Sequence, residues 1–181
     1  MIVLTVFHIY KREYKPLIST GIVFALTYLP RFLDGVLAVQ MDLLGNVLYV
    51  AIIVMAIYLG SARGFYNKFS WWDRLIHLLS GITFVSFGIA ISVRAGIQNP
   101  LHILFFSLTL SISLHVAWEV LEYVYDCLFH ADNQRWQKVS ASNNHLSPSA
   151  IQPAGLVDTM NDTILCIVSA FLSCAAWWFL L

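Results

Sequence analysis

The sequence has few charged residues and few cysteines, and each scarcity disfavours a class of protein. Charged residues make up 11% of the 181 residues, less than half of the roughly 25% found in an average soluble domain. Ten Lys and Arg residues balance ten Asp and Glu residues, so no net positive charge attracts nucleic acid. The three cysteines, Cys127, Cys166 and Cys174, provide no disulfide framework. An ordinary soluble domain, a nucleic-acid-binding protein and a disulfide scaffold are therefore disfavoured.

Apolar residues, in contrast, are abundant and make up 59% of the chain. A transmembrane helix needs about 20 largely apolar residues, and runs of this kind predict five spans. A sixth is predicted if the apolar N-terminal segment also crosses the bilayer. The five predicted spans are residues 16–33, 43–60, 75–93, 101–127 and 161–181. The sequence thus predicts an all-α, polytopic transmembrane helix bundle that forms a single membrane domain over residues 1–181.

The basic residues predict how the bundle is oriented. Eight of the ten lie in the N-terminal segment or in alternate connections, namely Lys11, Arg12, Lys15, Arg63, Lys68, Arg74, Arg135 and Lys138. The other connections contain only Arg31 and Arg94. Because loops rich in Lys and Arg stay in the cytoplasm, we expect the N-terminus and the long loop at residues 130–157 to be cytoplasmic. The expected location is the cell inner (plasma) membrane.

The acidic residues are concentrated at one end of three predicted spans. Six of the ten lie there, namely Asp73, Glu119, Glu122, Asp126, Asp158 and Asp162. Many of them are three or four residues from another acid or from a histidine, which places them on a shared helix face. At about 1.5 Å per residue, five of the six (all but Asp126) lie roughly 27 to 35 Å from the outer helix ends, and His77 lies at roughly 26 Å. We therefore expect them near the cytoplasmic edge of the bilayer core.

Charged side chains at this depth face the protein interior and need partners, and Arg74 is the only nearby cation at a helix start. A bound divalent cation would balance several carboxylates, and carboxylates with imidazoles suit Mg, Mn, Fe or Zn. We interpret the cluster as a metal site without choosing among these ions. The proposed ligands are His77, Glu119, Glu122 and Asp162.

Three further residues are candidate catalytic groups. Asp73 or Asp158 is placed to act as a base, and Arg74 to hold a lipid phosphate. For Asp73 and Asp158 the alternative is a helix N-cap, since acids are favoured at helix N-termini. His115 is either a further ligand or a hydrogen-bonded core histidine.

Three segments resemble motifs of the YjdF-like proteins, a bacterial inner-membrane family of unknown function. Residues 72–81 (WDRLIHLLSG) resemble its Asp-Arg-Leu-x-His-x-x-x-Gly signature. Residues 119–123 (EVLEY) and 158–162 (DTMND) resemble its Glu-x-x-Glu-aromatic and Asp-Thr-x-x-Asp segments. The resemblance covers about residues 70–181. It groups the acidic segments into one site and implies no particular reaction.

Three functions fit this pattern. The first is a membrane enzyme whose divalent metal acts on a lipid or phosphorylated substrate at the cytoplasmic leaflet. The second is a transporter in which the acids carry protons or cations. The third is a membrane scaffold that docks a partner through residues 130–157.

Overall fold

A computed structural model of the chain describes residues 10–11, 13–37, 39–130, 132–134 and 153–181. Within these ranges all regular structure is helical, which confirms the predicted all-α class. The elements are α1 (Tyr14–Thr27), α2 (Leu29–Leu37), α3 (Leu43–Ile53), a π-helical segment (Val54–Ala62), α4 (Phe65–Lys68), α5 (Trp72–Arg94), α6 (Pro100–Phe129) and α7 (Ala154–Trp177). The predicted N-terminal apolar segment, most of the predicted loop 130–157, and Arg12, Arg135 and Lys138 lie outside the described residues.

Four helical stretches are long and apolar enough to cross a membrane. They are Leu43–Ala62, Trp72–Arg94, Pro100–Phe129 and Ala154–Trp177. The first predicted span, residues 16–33, corresponds to a shorter apolar stretch, Pro16–Phe32, and is divided between α1 and α2. The described residues therefore provide four full-length candidate spans and one short one.

Pro30 explains why the first predicted span is divided. Proline has no backbone N–H, so it leaves the carbonyl four residues earlier without its helical donor. That carbonyl belongs to Leu26, and it accepts a hydrogen bond of 3.0 Å from the Tyr49 hydroxyl of α3 in addition to a backbone N–H at the helix C-cap. The break between α1 and α2 is thus stabilised by a contact with a neighbouring helix.

The longest helix, α6, begins and ends at local sequence signals. The Asn99 side chain accepts hydrogen bonds from the backbone N–H groups of Leu101 and His102, at 2.9 and 3.3 Å. Pro100 occupies the first helical turn, where its missing N–H costs nothing. At the other end, His130 has a φ of +50°, the left-handed conformation that commonly terminates helices.

Helix α5 lies at the centre of the bundle and packs against α3, α6 and α7. The hydrophobic core combines residues of three helices, namely Val85, Ile89, Ile103, Leu104, Ala170 and Cys174. Buried serines, including Ser80, Ser107, Ser111 and Ser169, lie among these apolar contacts. Lipid provides no hydrophobic driving force for helix association, so transmembrane helices associate through close packing. Small residues allow this close approach.

Two glycines of α5 mark the closest helix approaches. A Cβ atom at Gly81 would collide with the Cys166 carbonyl and the Ser169 hydroxyl of α7. A Cβ atom at Gly88 would lie 2.5 Å from the Ser107 Cα of α6. Since α7 and α6 leave no space for a methyl group at these points, the two glycines set the helix spacing.

Helix α7 begins earlier than the sequence predicted. The predicted span covered residues 161–181 and the predicted loop ended at residue 157, whereas the helix covers Ala154–Trp177. Pro153 immediately precedes the first turn. The sequence placed Asp158 at the start of the helix, as a candidate N-cap. The structure includes it one turn inside, so Asp158 is not the N-cap of α7.

The π-helical segment continues α3 towards the acidic end of α5. Its wider hydrogen-bonding pattern continues at the C-cap, where the Arg63 N–H donates to the Tyr58 carbonyl, five residues earlier, at 3.0 Å. The Trp72 indole N–H donates to the Met55 carbonyl within this segment at 3.2 Å. The indole therefore links the first turn of α5 to the π-helical segment.

Candidate metal centre

His77 lies where α5, α6 and α7 meet, and carboxylates from all three helices surround it. Its side chain is 5% exposed. The Nε2 atom lies 3.5 Å from Asp73 Oδ1 and 3.9 Å from Asp162 Oδ2. The Nδ1 atom lies 4.0 Å from Glu119 Oε1. Both ring nitrogens therefore face carboxylate oxygens.

His115 adds a second imidazole on the α6 side. Its Nε2 atom lies 3.5 Å from Glu119 Oε1, as the four-residue spacing on one helix face requires. The same nitrogen is 3.2 Å from the Thr163 hydroxyl of α7. The rings of His115 and His77 stand edge to face with centroids 5.1 Å apart. We call Asp73, His77, His115, Glu119 and Asp162 the acid–histidine cluster.

Glu119 Oε1 is the least satisfied atom of this cluster. The Glu119 side chain is 8% exposed, and Oε1 has no hydrogen-bond partner among the described residues. Leaving a buried carboxylate oxygen without a partner is costly, because desolvation of the charge is not compensated. The atom points at the nitrogens of two imidazoles, His77 and His115. A cation between these three groups would satisfy it.

The spacing of the cluster also fits ligands around a cation. Nitrogen–oxygen hydrogen bonds are about 2.7 to 3.2 Å long, and the distances of 3.5 to 4.0 Å around His77 exceed that range. Two ligands bound to one cation at about 2.1 Å are separated by about 3.0 to 4.2 Å, depending on the angle between them. Two sets have ligand atoms that all lie within 4.8 Å of one another: His77, His115 and Glu119, and Asp73, His77 and Asp162.

Glu122, a predicted ligand, belongs to neither of these sets. Its Oε1 atom accepts a 2.8 Å hydrogen bond from the Trp118 indole N–H, one turn earlier on α6. The carboxylate is half-buried and lines a cavity beside the cluster. The structure therefore brings His77, Glu119 and Asp162 together, while Glu122 lies outside the closest groups.

Asp126, which the sequence placed with the other acids, has a separate role. It is buried and accepts hydrogen bonds from the backbone N–H and side-chain amide of Asn133, both at 2.9 Å. The Gln134 N–H donates to its second oxygen at 3.0 Å. Asp126 thus holds the chain that follows α6 against the helix.

The three predicted catalytic residues occupy different environments. Asp73 lies in the first turn of α5, is buried, and belongs to the cluster. Asp158 is half-buried on α7, one turn before Asp162. Arg74 is exposed and forms no ion pair with any described residue. Of the three, only Asp73 directly faces His77.

A partly open cavity of about 600 Å³ adjoins the cluster. This volume lies within the range typical of small-molecule sites. Asp73 and Glu122 line it on one side, and the aromatic residues Tyr66, Trp118 and Tyr125 line it as well. The π-helical segment contributes Ala56, Ile57, Gly60 and Ser61 to its wall. Because Asp73 also faces His77, the cavity meets the cluster at this residue.

A second cavity, of about 620 Å³, lies at the opposite end of α5. Its charged residues are Asp42 and Arg94. Although it is slightly larger, it contains no histidine and none of the clustered acids. The first cavity is therefore the one that adjoins the candidate site.

Sequence reasoning did not single out Trp118 or Thr163. Each had a signal: Trp118 precedes Glu122 by four residues, and Thr163 follows Asp162 directly. The four-residue spacing is enough to pair Trp118 with Glu122 on one helix face. Nothing in the sequence identifies His115 as the partner of Thr163, because the rotation of α7 against α6 is set by packing across the bundle.

Comparison with known families agrees with the membrane architecture. A family model described as "Predicted membrane protein (DUF2238)" matches residues 1–181. The YjdF-like proteins are the same family, so the resemblance inferred from about residues 70–181 extends to the whole chain. No curated protein and no solved structure matches the chain.

Proposed function

The chain belongs to this family of predicted membrane proteins, and we propose that it is a membrane enzyme that binds a divalent metal ion in the acid–histidine cluster. The proposed substrate is a lipid or a phosphorylated small molecule that enters through the adjoining cavity. The proposed setting is the inner membrane, with the N-terminus and the cluster on the cytoplasmic side.

The observation that carries this proposal is the environment of Glu119. Its buried Oε1 atom has no hydrogen-bond partner among the described residues and lies 3.5 Å from His115 Nε2 and 4.0 Å from His77 Nδ1. Two imidazoles and one carboxylate are a donor set that transition metals commonly use. Among the four ions suggested by the sequence, this set favours Mn, Fe and Zn over Mg, which prefers oxygen ligands and retained waters.

A divalent metal held here would polarise a substrate oxygen or lower the pKa of a bound water. The protein supplies the surrounding groups. Asp73 lies both at His77 Nε2 and on the cavity wall, so it can accept a proton from a group in the cavity. Asp158 is the alternative base. Arg74 is exposed at the start of α5, and it is the residue proposed to bind a lipid phosphate outside the cavity.

A cation- or proton-coupled transporter is the second candidate, and two buried serines favour it. The hydroxyls of Ser86 and Ser92 on α5 have no hydrogen-bond partner among the described residues. Ser86 also lines the cavity at the far end of the helix, together with Asp42. Polar groups therefore continue along α5 beyond the cluster, as a pathway for ions requires.

Elemental analysis of the purified protein tests the metal site. We expect a stoichiometric divalent metal in the wild type and its loss or reduction in Glu119→Gln and Asp162→Asn. Glu122→Gln is the matched control, since it makes the same change three residues along α6 and should retain the metal. A folded wild-type protein that binds none of the four ions after incubation with each would overturn the proposal.

A liposome assay separates the enzyme from the transporter. Uptake of a labelled divalent cation that is lost in Glu119→Gln and in Ser86→Ala would favour transport. Metal binding without uptake would favour the enzyme. Ser86→Ala is informative about transport because Ser86 lies far from the cluster and has no part in chemistry at His77.

A further inference from the structure

The two candidate ligand sets share only one residue, His77. One set uses His77 with His115 and Glu119, and the other uses His77 with Asp73 and Asp162. The Nδ1 atom faces Glu119, whereas the Nε2 atom faces Asp73 and Asp162. The two nitrogens lie on different edges of the imidazole ring, so no single cation can bind both of them.

Charge balance distinguishes one bound cation from two. Asp73, Glu119 and Asp162 contribute three negative charges when ionised. A single divalent cation with a neutral His77 leaves this buried cluster with a net negative charge, which is costly at membrane depth. Two divalent cations balance the three carboxylates together with an imidazolate. The ring proton displaced by the second cation leaves to solvent.

The main alternative is that one nitrogen binds metal and the other donates its N–H to a carboxylate. Metal-bound histidines commonly make such a hydrogen bond. Around Nε2, however, Asp73 Oδ1 and Asp162 Oδ2 lie at 3.5 and 3.9 Å, beyond the roughly 3.2 Å limit of an N–H···O bond. Both distances fall within the roughly 3.0 to 4.2 Å that separate two ligands of one cation.

From this geometry we propose that His77 bridges two divalent cations. One binds Nδ1 together with His115 and Glu119, and the other binds Nε2 together with Asp73 and Asp162. With Asp73 bound to metal, the base is Asp158, the alternative named above. The inference rests on the proposed metal site and adds to it the number of ions and the ligands of each. Because Asp73 lines the cavity, the second ion is the one that a substrate would reach.

Metal stoichiometry tests this inference. The detergent-purified full chain is loaded with Mn²⁺ and, separately, with Zn²⁺, and bound metal is measured per chain after removal of the excess. We expect two ions in the wild type and in Glu122→Gln. One ion should remain in Glu119→Gln, which removes a ligand of the first site, and one in Asp162→Asn, which removes a ligand of the second.

Electron paramagnetic resonance of the Mn²⁺-loaded protein provides an independent measurement. Two ions bridged by one imidazole should give a spin-coupled spectrum, and each single variant should give the spectrum of an isolated ion. One ion per chain in the wild type would overturn the bridge while leaving the proposed metal site in place. No bound ion would overturn both. The test needs no substitution of His77 itself, because each single variant retains one intact site.

Discussion

Gly81 is expected to determine how well the cluster binds metal, although glycine has no side chain that could act as a ligand. It follows His77 by one helical turn on α5, and Cys166, which it contacts, follows Asp162 by one turn on α7. The closest approach of the two helices is therefore directly beside the two ligands. We predict that Gly81→Ala pushes α5 and α7 apart and weakens metal binding.

The size of the effect follows from the contacts at this position. A Cβ atom would lie 3.1 Å from the Ala170 N atom and closer still to Cys166 O and Ser169 Oγ. Two of these atoms belong to the backbone of α7, so a side-chain rotation cannot relieve the clash. Restoring ordinary contact at about 3.5 Å requires a separation of about 1 Å. The distance from His77 Nε2 to Asp162 Oδ2, now 3.9 Å, would then exceed the roughly 4.2 Å that one cation can span.

The assay combines thermal unfolding with metal analysis. Overpacking costs about 1 to 3 kcal/mol, which corresponds to a fall in Tm of about 2 to 12 °C for a chain of this size. Gly88→Ala is the matched control, because it creates a comparable clash against Ser107 about 16 Å along α5 from His77. It should lower Tm and leave the metal bound. Gly21→Ala, with nothing within 4 Å, should leave the metal bound and should not lower Tm, because alanine is the better helix former.

Wild-type metal content in Gly81→Ala would refute the reasoning, since it would mean that the spacing of α5 and α7 does not determine the site. Equal metal loss in Gly88→Ala would also refute it. That result would attribute the loss to general destabilisation rather than to local spacing.

Two further predictions concern the neighbours of the cluster. In a double-mutant cycle of thermal unfolding, Trp118→Phe and Glu122→Ala each remove the exposed hydrogen bond between the two side chains. The two changes should show a coupling of about 1 kcal/mol, and additive effects would contradict this. Asp126→Asn should cost about 1 to 3 kcal/mol, because it weakens three hydrogen bonds at a buried group. Hydrogen exchange should show faster exchange of the Asn133 and Gln134 amides, and unchanged protection there would refute the role of Asp126.

Much of the fold could be predicted because membrane spans depend on run length, which a single sequence displays directly. The confirmed all-α class follows from this. The first residue of α7 was harder to predict, since Asp158 and Asp162 interrupt the apolar run and yet lie within the helix. An acid paired across the bundle remains in a helix that hydropathy alone would shorten.

The membership of the site was only partly predictable, because spacing along one helix gives faces but not neighbours. His115 and Glu119 share a face, and both point at His77. Glu122 is three residues further and therefore rotated by about 60°, towards Trp118 and the cavity. Asp126 lies on nearly the same face as Glu119 but about 10 Å along the axis, beyond the reach of His77. These differences of rotation and height determine which acids meet.

Because of its π-helical segment at Val54–Ala62, the chain should tolerate a change in length better in that segment than in α5. π-helical turns contain more residues than α-helical turns, so a one-residue deletion within this segment can be absorbed by a return to α-helical geometry. The same deletion in α5 would rotate one part of the helix against the other by about 100° and separate His77 from the glycines that set its distance to α7. The wall of the cavity can therefore change in length where the ligand-bearing helix cannot.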